Sequence, residues 1–176
     1  EVGEMVDVAS LNRSILYRSD TGAPLSVMST KNYKVAQPDQ ILGFIDESAR
    51  AMGWPIETAG SLHGGKKIWA LAKMGERADV GKGDEVEGYL LAATSCDGSM
   101  ASEFMFTSVR VVCDNTLHMA VDTEGSGRGR VKVYHFSTLD TAQVKKQLGI
   151  AGSVWAAFIE QAKRLATIRV SDRQAV

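Results

Sequence analysis

The stretch Gly60-Ser61-Leu62-His63-Gly64-Gly65-Lys66-Lys67 has the G-x-x-x-x-G-K spacing of a loop that wraps nucleotide phosphates. In such a loop backbone amides and a helix N-terminus hold the phosphates, a lysine reaches the outer ones, and a serine or threonine hydroxyl ligates magnesium. Lys67 stands where that hydroxyl should be. The preceding Trp54-Pro55-Ile56-Glu57-Thr58 is not a continuous buried strand. After the glycines, Lys67, Trp69, Leu71 and Lys73 alternate with Ile68, Ala70, Ala72 and Met74. A period of two is strand spacing, so no helix opens where the phosphates would need one. The glycines therefore read as a hairpin turn carrying Lys66 and Lys67 at its exit, and nucleotide hydrolysis is not expected.

Other candidate chemistry is sparse. His63, His118 and His135 are far apart in sequence, without cysteine or carboxylate at ligand spacing, so neither a metal nor a cofactor is expected. Cys113 ends the apolar run Arg110-Val111-Val112 and reads as a structural thiol, since nothing nearby in sequence lowers its pKa. Asp46-Glu47 and Asp84-Glu85 read as solvated surface rather than as acid–base pairs. A small active site built from Asp114, Asn115 and His118 is the weakest of the functional readings.

The basic residues carry more. Lys66, Lys67 and Lys73 fall on one predicted hairpin, and Arg128, Arg130 and Lys132 run through a glycine-rich tract into a strand. Brought together, they would line a groove with phosphate-binding groups, with Trp69, Tyr89 and Tyr134 as stacking surfaces. Arg110, in an otherwise apolar run, must face solvent, a partner or an anion.

Composition sets the frame for these side chains. The 176 residues, 44% hydrophobic, suit one domain over 1–176, and the start at Glu1 rather than Met is what a piece of a longer chain would show. Twenty basic residues oppose 21 acidic ones, so an anionic partner must be met by a local patch. No apolar run is long enough to span a bilayer and EVGEMVDVAS lacks signal-peptide features, so no membrane is expected. Two cysteines fit a reducing cytoplasm.

The elements follow from periodicity. Strands are expected at 14–18 and 25–29 around a Gly-Pro turn. A helix should follow over PDQILGFIDESARAMG, with Asp39 as N-cap and Gly53 as its stop. Four strands follow at about 54–62, 66–74, 86–95 and 100–112, linked by His63-Gly64-Gly65, a polar run from Gly75 to Glu85, and Cys96-Asp97-Gly98-Ser99. Asp114 should cap a short helix, and a fifth strand is expected at 131–136. Helices over about 138–148, stopped by Gly149, and about 153–168 close the chain. The class is α+β: an antiparallel meander packed against helices.

Five segments in order, Tyr17-Arg18-Ser19-Asp20-Thr21-Gly22-Ala23-Pro24-Leu25, Tyr33-Lys34-Val35-Ala36-Gln37-Pro38, Glu57-Thr58-Ala59-Gly60-Ser61-Leu62, Gly65-Lys66-Lys67-Ile68-Trp69-Ala70-Leu71-Ala72-Lys73 and Val109-Arg110-Val111-Val112-Cys113-Asp114-Asn115-Thr116-Leu117, resemble the phage/plasmid-like protein family, a domain of unknown function. The resemblance spans about residues 14–165 and implies mobile elements and a bacterial cytoplasm. The helix ending in Met52-Gly53-Trp54, followed by a meander with a basic hairpin, also resembles the core of the Rad-fifty-two-like single-strand annealing proteins. That second resemblance implies an oligomeric ring or filament whose groove holds one strand by its phosphates. The leading expectation is therefore single-stranded DNA binding and annealing in phage or plasmid recombination, with Lys66, Lys67, Lys73, Arg110, Arg128, Arg130 and Lys132 on phosphates and Trp69 stacking. The alternative is a protein-interaction module of a mobile element, such as an anti-defence protein.

Overall fold

The computed structural model describes residues 6–8, 12–79, 85–123, 129–149 and 160. Strands β1 (Val6–Val8), β2 (Arg13–Tyr17) and β3 (Pro24–Ser29) form a small antiparallel sheet. Helix α1 (Pro38–Met52) then leads into a second sheet of β4 (Ile56–Leu62), β5 (Lys67–Asp79), β6 (Glu85–Ser95), β7 (Ser102–Thr107) and β8 (Arg130–Val133). These five strands lie side by side in sequence order, every pair antiparallel, which is a meander. Helix α2 (Asp114–Thr123) separates β7 from β8, and α3 (Thr141–Leu148) follows β8. The fold is α+β, as the periodicity implies.

Two apolar layers cover the two faces of the large sheet. On one, Ile41, Phe44, Ile45 and Ala49 of α1 and Val144 and Leu148 of α3 meet Ala70, Ala72, Leu90, Ala92 and Phe104. Phe44 and Phe104 pack edge to face at 4.6 Å, and Lys145 of α3 pairs with Glu47 of α1. On the other, Leu117 and Ala120 of α2 and Val111 of the preceding loop cover Trp69, Leu71, Tyr89, Leu91 and Met105. The central strand β6 is consequently buried from Gly88 to Ser95. Burial on both faces is why its sequence runs apolar instead of alternating. The small sheet packs Leu16 and Leu25 against Ile68 and Cys96, at the start of β5 and the end of β6.

Several expectations need correction. Asp39 is not the cap of α1. Gln37 holds that position and exchanges hydrogen bonds with Gln40 in a capping box, Pro38 opens the helix, and Asp39 lies in its first turn. The strand expected over 100–112 stops at Thr107. The Thr107 hydroxyl accepts the Val109 amide, turning the chain out of the sheet, so Val109 and Val111 are loop residues packed beneath α2. β8 likewise stops at Val133, because Tyr134 to Ser137 form a turn closed by the Ser137 amide on the Tyr134 carbonyl. β5 extends to Asp79, beyond its expected end at Met74. Gly149 closes α3 as expected, but the helix starts at Thr141 rather than about 138, because Asp140 caps it by accepting the Ala142 and Gln143 amides. The helix expected at 153–168 and most of the glycine-rich tract lie outside the described residues.

Candidate nucleic-acid interface

The Gly-Gly-Lys-Lys segment is a hairpin turn. His63, Gly64 and Gly65 have φ of 52°, 71° and 100°, three successive left-handed residues in a single 3-10 turn, and β5 begins at Lys67 with no α-helix between. Glycine suits two of these positions because a side chain disfavours that region. Gly64 and Gly65 therefore serve the chain reversal between β4 and β5.

Lys67 points to the side of the sheet that α2 covers, and α2 supplies its partner. Asp114, the first residue of α2, accepts from Lys67 Nζ at 3.0 Å on Oδ1 and contacts His63 Nε2 at 3.2 Å through Oδ2. The Lys67 hydrogen bond, aided by His63, holds the Asp114 carboxyl below the usual carboxylate range. One turn along α2, His118 Nε2 lies 3.1 Å from Lys67 Nζ, and its Nδ1 lies 3.7 Å from Asp122 Oδ2. Thus two histidines 55 residues apart in sequence meet at one lysine–aspartate pair. The helical i, i+4 spacing of Asp114, His118 and Asp122 was available in the sequence; the tertiary approach of β5 and the turn was not.

A second buried charge lies further along the same face. Glu103 of β7 is fully buried and sits opposite Lys132 in the β7–β8 ladder. Arg130 Nε donates to Glu103 Oε2 at 2.9 Å, while Arg130 Nη1 donates to the Val121 carbonyl near the end of α2 at 2.8 Å. Lys132 Nζ lies 3.2 Å from Oε1, an ion pair without the alignment of a hydrogen bond, so Oε1 remains a buried oxygen with unused accepting capacity. An acid in the apolar run Phe104-Met105-Phe106, facing alternating Arg130 and Lys132, is the sequence signal that marks this pair.

The remaining predicted cations divide. Lys73 binds Glu87 at 2.8 Å, and Arg110 binds Glu57 at 2.7 Å. Lys73 is six residues along β5 from Lys67, about 20 Å at strand rise, and neither Lys73 nor Arg110 lines the cleft that Lys67 enters. Lys66 is half-buried at the turn, and its charge helps lower Asp97. Arg128 lies outside the described residues. Trp69, expected to stack on bases, is 6% exposed and is a core residue of the α2 layer; Tyr89 is buried beside it, its hydroxyl on Glu87. Of the three expected stacking rings only Tyr134 is at the surface.

Tyr134 has a companion the sequence reading missed. Phe136, 76% exposed, lies nearly parallel to Tyr134 with ring centroids 6.1 Å apart, and Lys132 Nζ stands 5.4 Å over the Tyr134 ring. The turn after β8 throws both rings outward. Lys132, Tyr134 and Phe136 form a ridge between two concavities. One, of about 520 Å³, is shared with Lys67, His118 and Glu103; the other, of about 350 Å³, runs along Gln143 and Gln147 of α3. His135 faces back into the fold, stacked on Tyr33, with Nδ1 3.0 Å from the Lys34 carbonyl and Nε2 3.1 Å from the Met100 carbonyl.

The family described as "Domain of unknown function (DUF932)" matches residues 24–176. The chain belongs to this family. No curated protein and no solved structure matches the chain. Among the described residues of this DUF932 domain, no group of histidine, cysteine and carboxylate side chains is arranged to hold a metal ion, and no helix is long and apolar enough to cross a membrane.

Proposed function

We propose that this DUF932 domain binds single-stranded DNA across the Lys132–Tyr134–Phe136 ridge and promotes annealing of complementary strands, in recombination of phage or plasmid DNA in a bacterial cytoplasm, without nucleotide hydrolysis. The observation that carries this reading is the exposed parallel pair of Tyr134 and Phe136 beside a lysine, between two clefts. Unpaired bases stack on exposed rings whatever their identity, each contact contributing about 1–3 kcal/mol, whereas a duplex hides its base faces. Lys132 adds a cation next to the rings, and Lys67 with His118 lies across the larger cleft. Annealing leaves base edges available, and a ring or filament of the protein would keep one strand extended along successive copies.

The same geometry changes how the strand is held. Lys67, Lys73, Arg110, Arg130 and Lys132 each have a carboxylate partner, so stacking carries more of the affinity than phosphate neutralisation does. That pairing also favours the second reading, a protein-interaction module, for which exposed aromatic rings and a balanced charge are equally suited. Fluorescence anisotropy of a labelled single-stranded oligonucleotide, with duplex competitor, separates the two. Binding that prefers single strands and weakens about tenfold or more in Tyr134→Ala/Phe136→Ala supports the strand reading. Absence of binding at low salt, or no loss in the double variant, removes it.

A further inference from the structure

We propose that Lys67 and His118 form a phosphate-binding site in the larger cleft, and that this site takes up a proton when it binds. The proposal rests on the strand reading for the identity of its natural ligand but not for the chemistry of the site.

The direction of one hydrogen bond carries the inference. A lysine ammonium has donors and no lone pair, so His118 Nε2, 3.1 Å from Lys67 Nζ, must accept. In this arrangement His118 is neutral, with its proton on Nδ1 toward Asp122. Protonating the ring converts Nε2 into a donor, and two cationic donors then face each other at a hydrogen-bond distance. The contact becomes repulsive and opens. A phosphate whose oxygens accept from both Lys67 Nζ and the His118 Nε2–H reverses that repulsion, and both residues line the same cleft. Phosphate and proton therefore favour each other's binding, and linkage requires the effect to be mutual.

The surrounding charges set the sign. Asp114 and Asp122 of α2 face His118, Lys67 reaches it from β5, and His63 of the turn contacts Asp114 from the far side. Glu103 of β7, Lys132 of β8 and His135 line the same cleft. With the imidazoles neutral, Lys67, Lys132 and Arg130, the last held on Glu103, are balanced by Asp114, Asp122 and Glu103, so the cleft offers an anion no net positive charge. Protonation of His118 and of His63 adds two positive charges beside Lys67. His63 can strengthen its contact with Asp114 on protonation, which leaves Lys67 freer to turn to the phosphate.

The test is a titration of a labelled thymidine oligonucleotide at constant ionic strength between about pH 5.5 and about pH 8, the window in which imidazoles change charge. Wild-type affinity should rise as pH falls, by up to about tenfold per pH unit for one proton taken up. His118→Asn should flatten that slope, and adding His63→Asn should remove any remainder that comes from the turn beside Asp114. In parallel, inorganic phosphate is added while the His118 ring is followed by NMR, and phosphate should move its titration to higher pH. Strand binding that is tight but equally pH-independent in wild type and His118→Asn, with no phosphate effect on the ring, overturns the site and leaves the strand reading standing. A ring that responds to inorganic phosphate in a protein that binds no oligonucleotide keeps the site and removes the strand reading. If neither response is seen, both are wrong.

Discussion

The indole of Trp69 lies against the bare α-carbon of Gly60, its antiparallel partner across β4 and β5. A Cβ at Gly60 would stand 2.8 Å from Trp69 Cζ2 and closer still to Cη2, inside van der Waals contact with a ring that is itself fixed in the α2 layer. The ring cannot swing away without disturbing Leu71, Met105 and Leu117. Gly60→Ala should therefore destabilise the domain by about 1–3 kcal/mol, read from denaturant or thermal unfolding. Unchanged stability would mean that the indole can relocate.

Glu103 is the deepest charge in the described residues. Replacing it with alanine strands Arg130, whose side chain is only 17% exposed, and removes the carboxylate opposite Lys132. Loss of one partner of a buried pair costs about 3–5 kcal/mol. Glu103→Ala should unfold at markedly lower denaturant, whereas Lys132→Gln, at the more exposed end of the pair, should cost far less. Equal effects of the two would contradict the burial argument.

Binding should discriminate among the cations by position. Lys132→Gln should weaken oligonucleotide binding and reduce its salt dependence. Lys73→Gln and Arg110→Gln should leave both nearly unchanged, because those residues answer Glu87 and Glu57 and line neither cleft, Lys73 lying about 20 Å along β5 from Lys67. Anisotropy at two salt concentrations gives the comparison. Equal losses at all three positions would return the interface to a broad basic groove.

The two thiols should behave oppositely. Cys113 is exposed, and the Thr116 hydroxyl beside it draws its pKa below the ordinary thiol value. Cys96 is buried, which pushes its pKa up to about 11, with the Asp97 charge adding to the effect. At neutral pH an alkylating reagent should modify Cys113 promptly and Cys96 only on unfolding, as mass spectrometry would show. Thr116→Val should slow modification of Cys113.

Acid should loosen the cluster at the start of α2. Asp114 has a depressed folded pKa, chiefly because Lys67 donates to it, so the folded state resists its protonation more than the unfolded chain does. Its stabilisation is present above the ordinary aspartate value, about 3.9, and is lost as pH falls through the lower folded value. Unfolding curves collected from neutral pH into acid should fall less steeply for Asp114→Asn than for wild type. A parallel fall would place the acid sensitivity elsewhere.

Much of the meander was legible because its signals are local: alternating side chains in β5, the Gly-Gly and Asp-Gly turns, and the glycines that end α1 and α3. The errors share a cause. Val109, Val111 and Val112 read as strand because apolar side chains signal burial, and α2 buries Val111 as effectively as a neighbouring strand would. Trp69 read as a stacking surface because the sequence does not say which face of β5 a helix will cover. Glu103 escaped notice for the converse reason, and His63 and His118 were seen but not joined. Each acquires its character from a partner distant in the chain, as when Asp114 gathers Lys67 and His63 from some fifty residues back and Lys67 meets His118, whereas Phe136 needed only the turn that sets it beside Tyr134.

The pairing of Lys67, Lys73, Arg110, Arg130 and Lys132 with adjacent carboxylates also has a kinetic consequence. Opposite charges held a few ångströms apart cancel within a short distance of the surface, so the molecule projects little attraction into the surrounding salt. A polyanion is then not drawn in from afar, and its association rate should lie near the about 10⁵–10⁶ M⁻¹s⁻¹ of unsteered encounters. Such a protein would sample strands by collision and owe its selectivity to how long a strand stays.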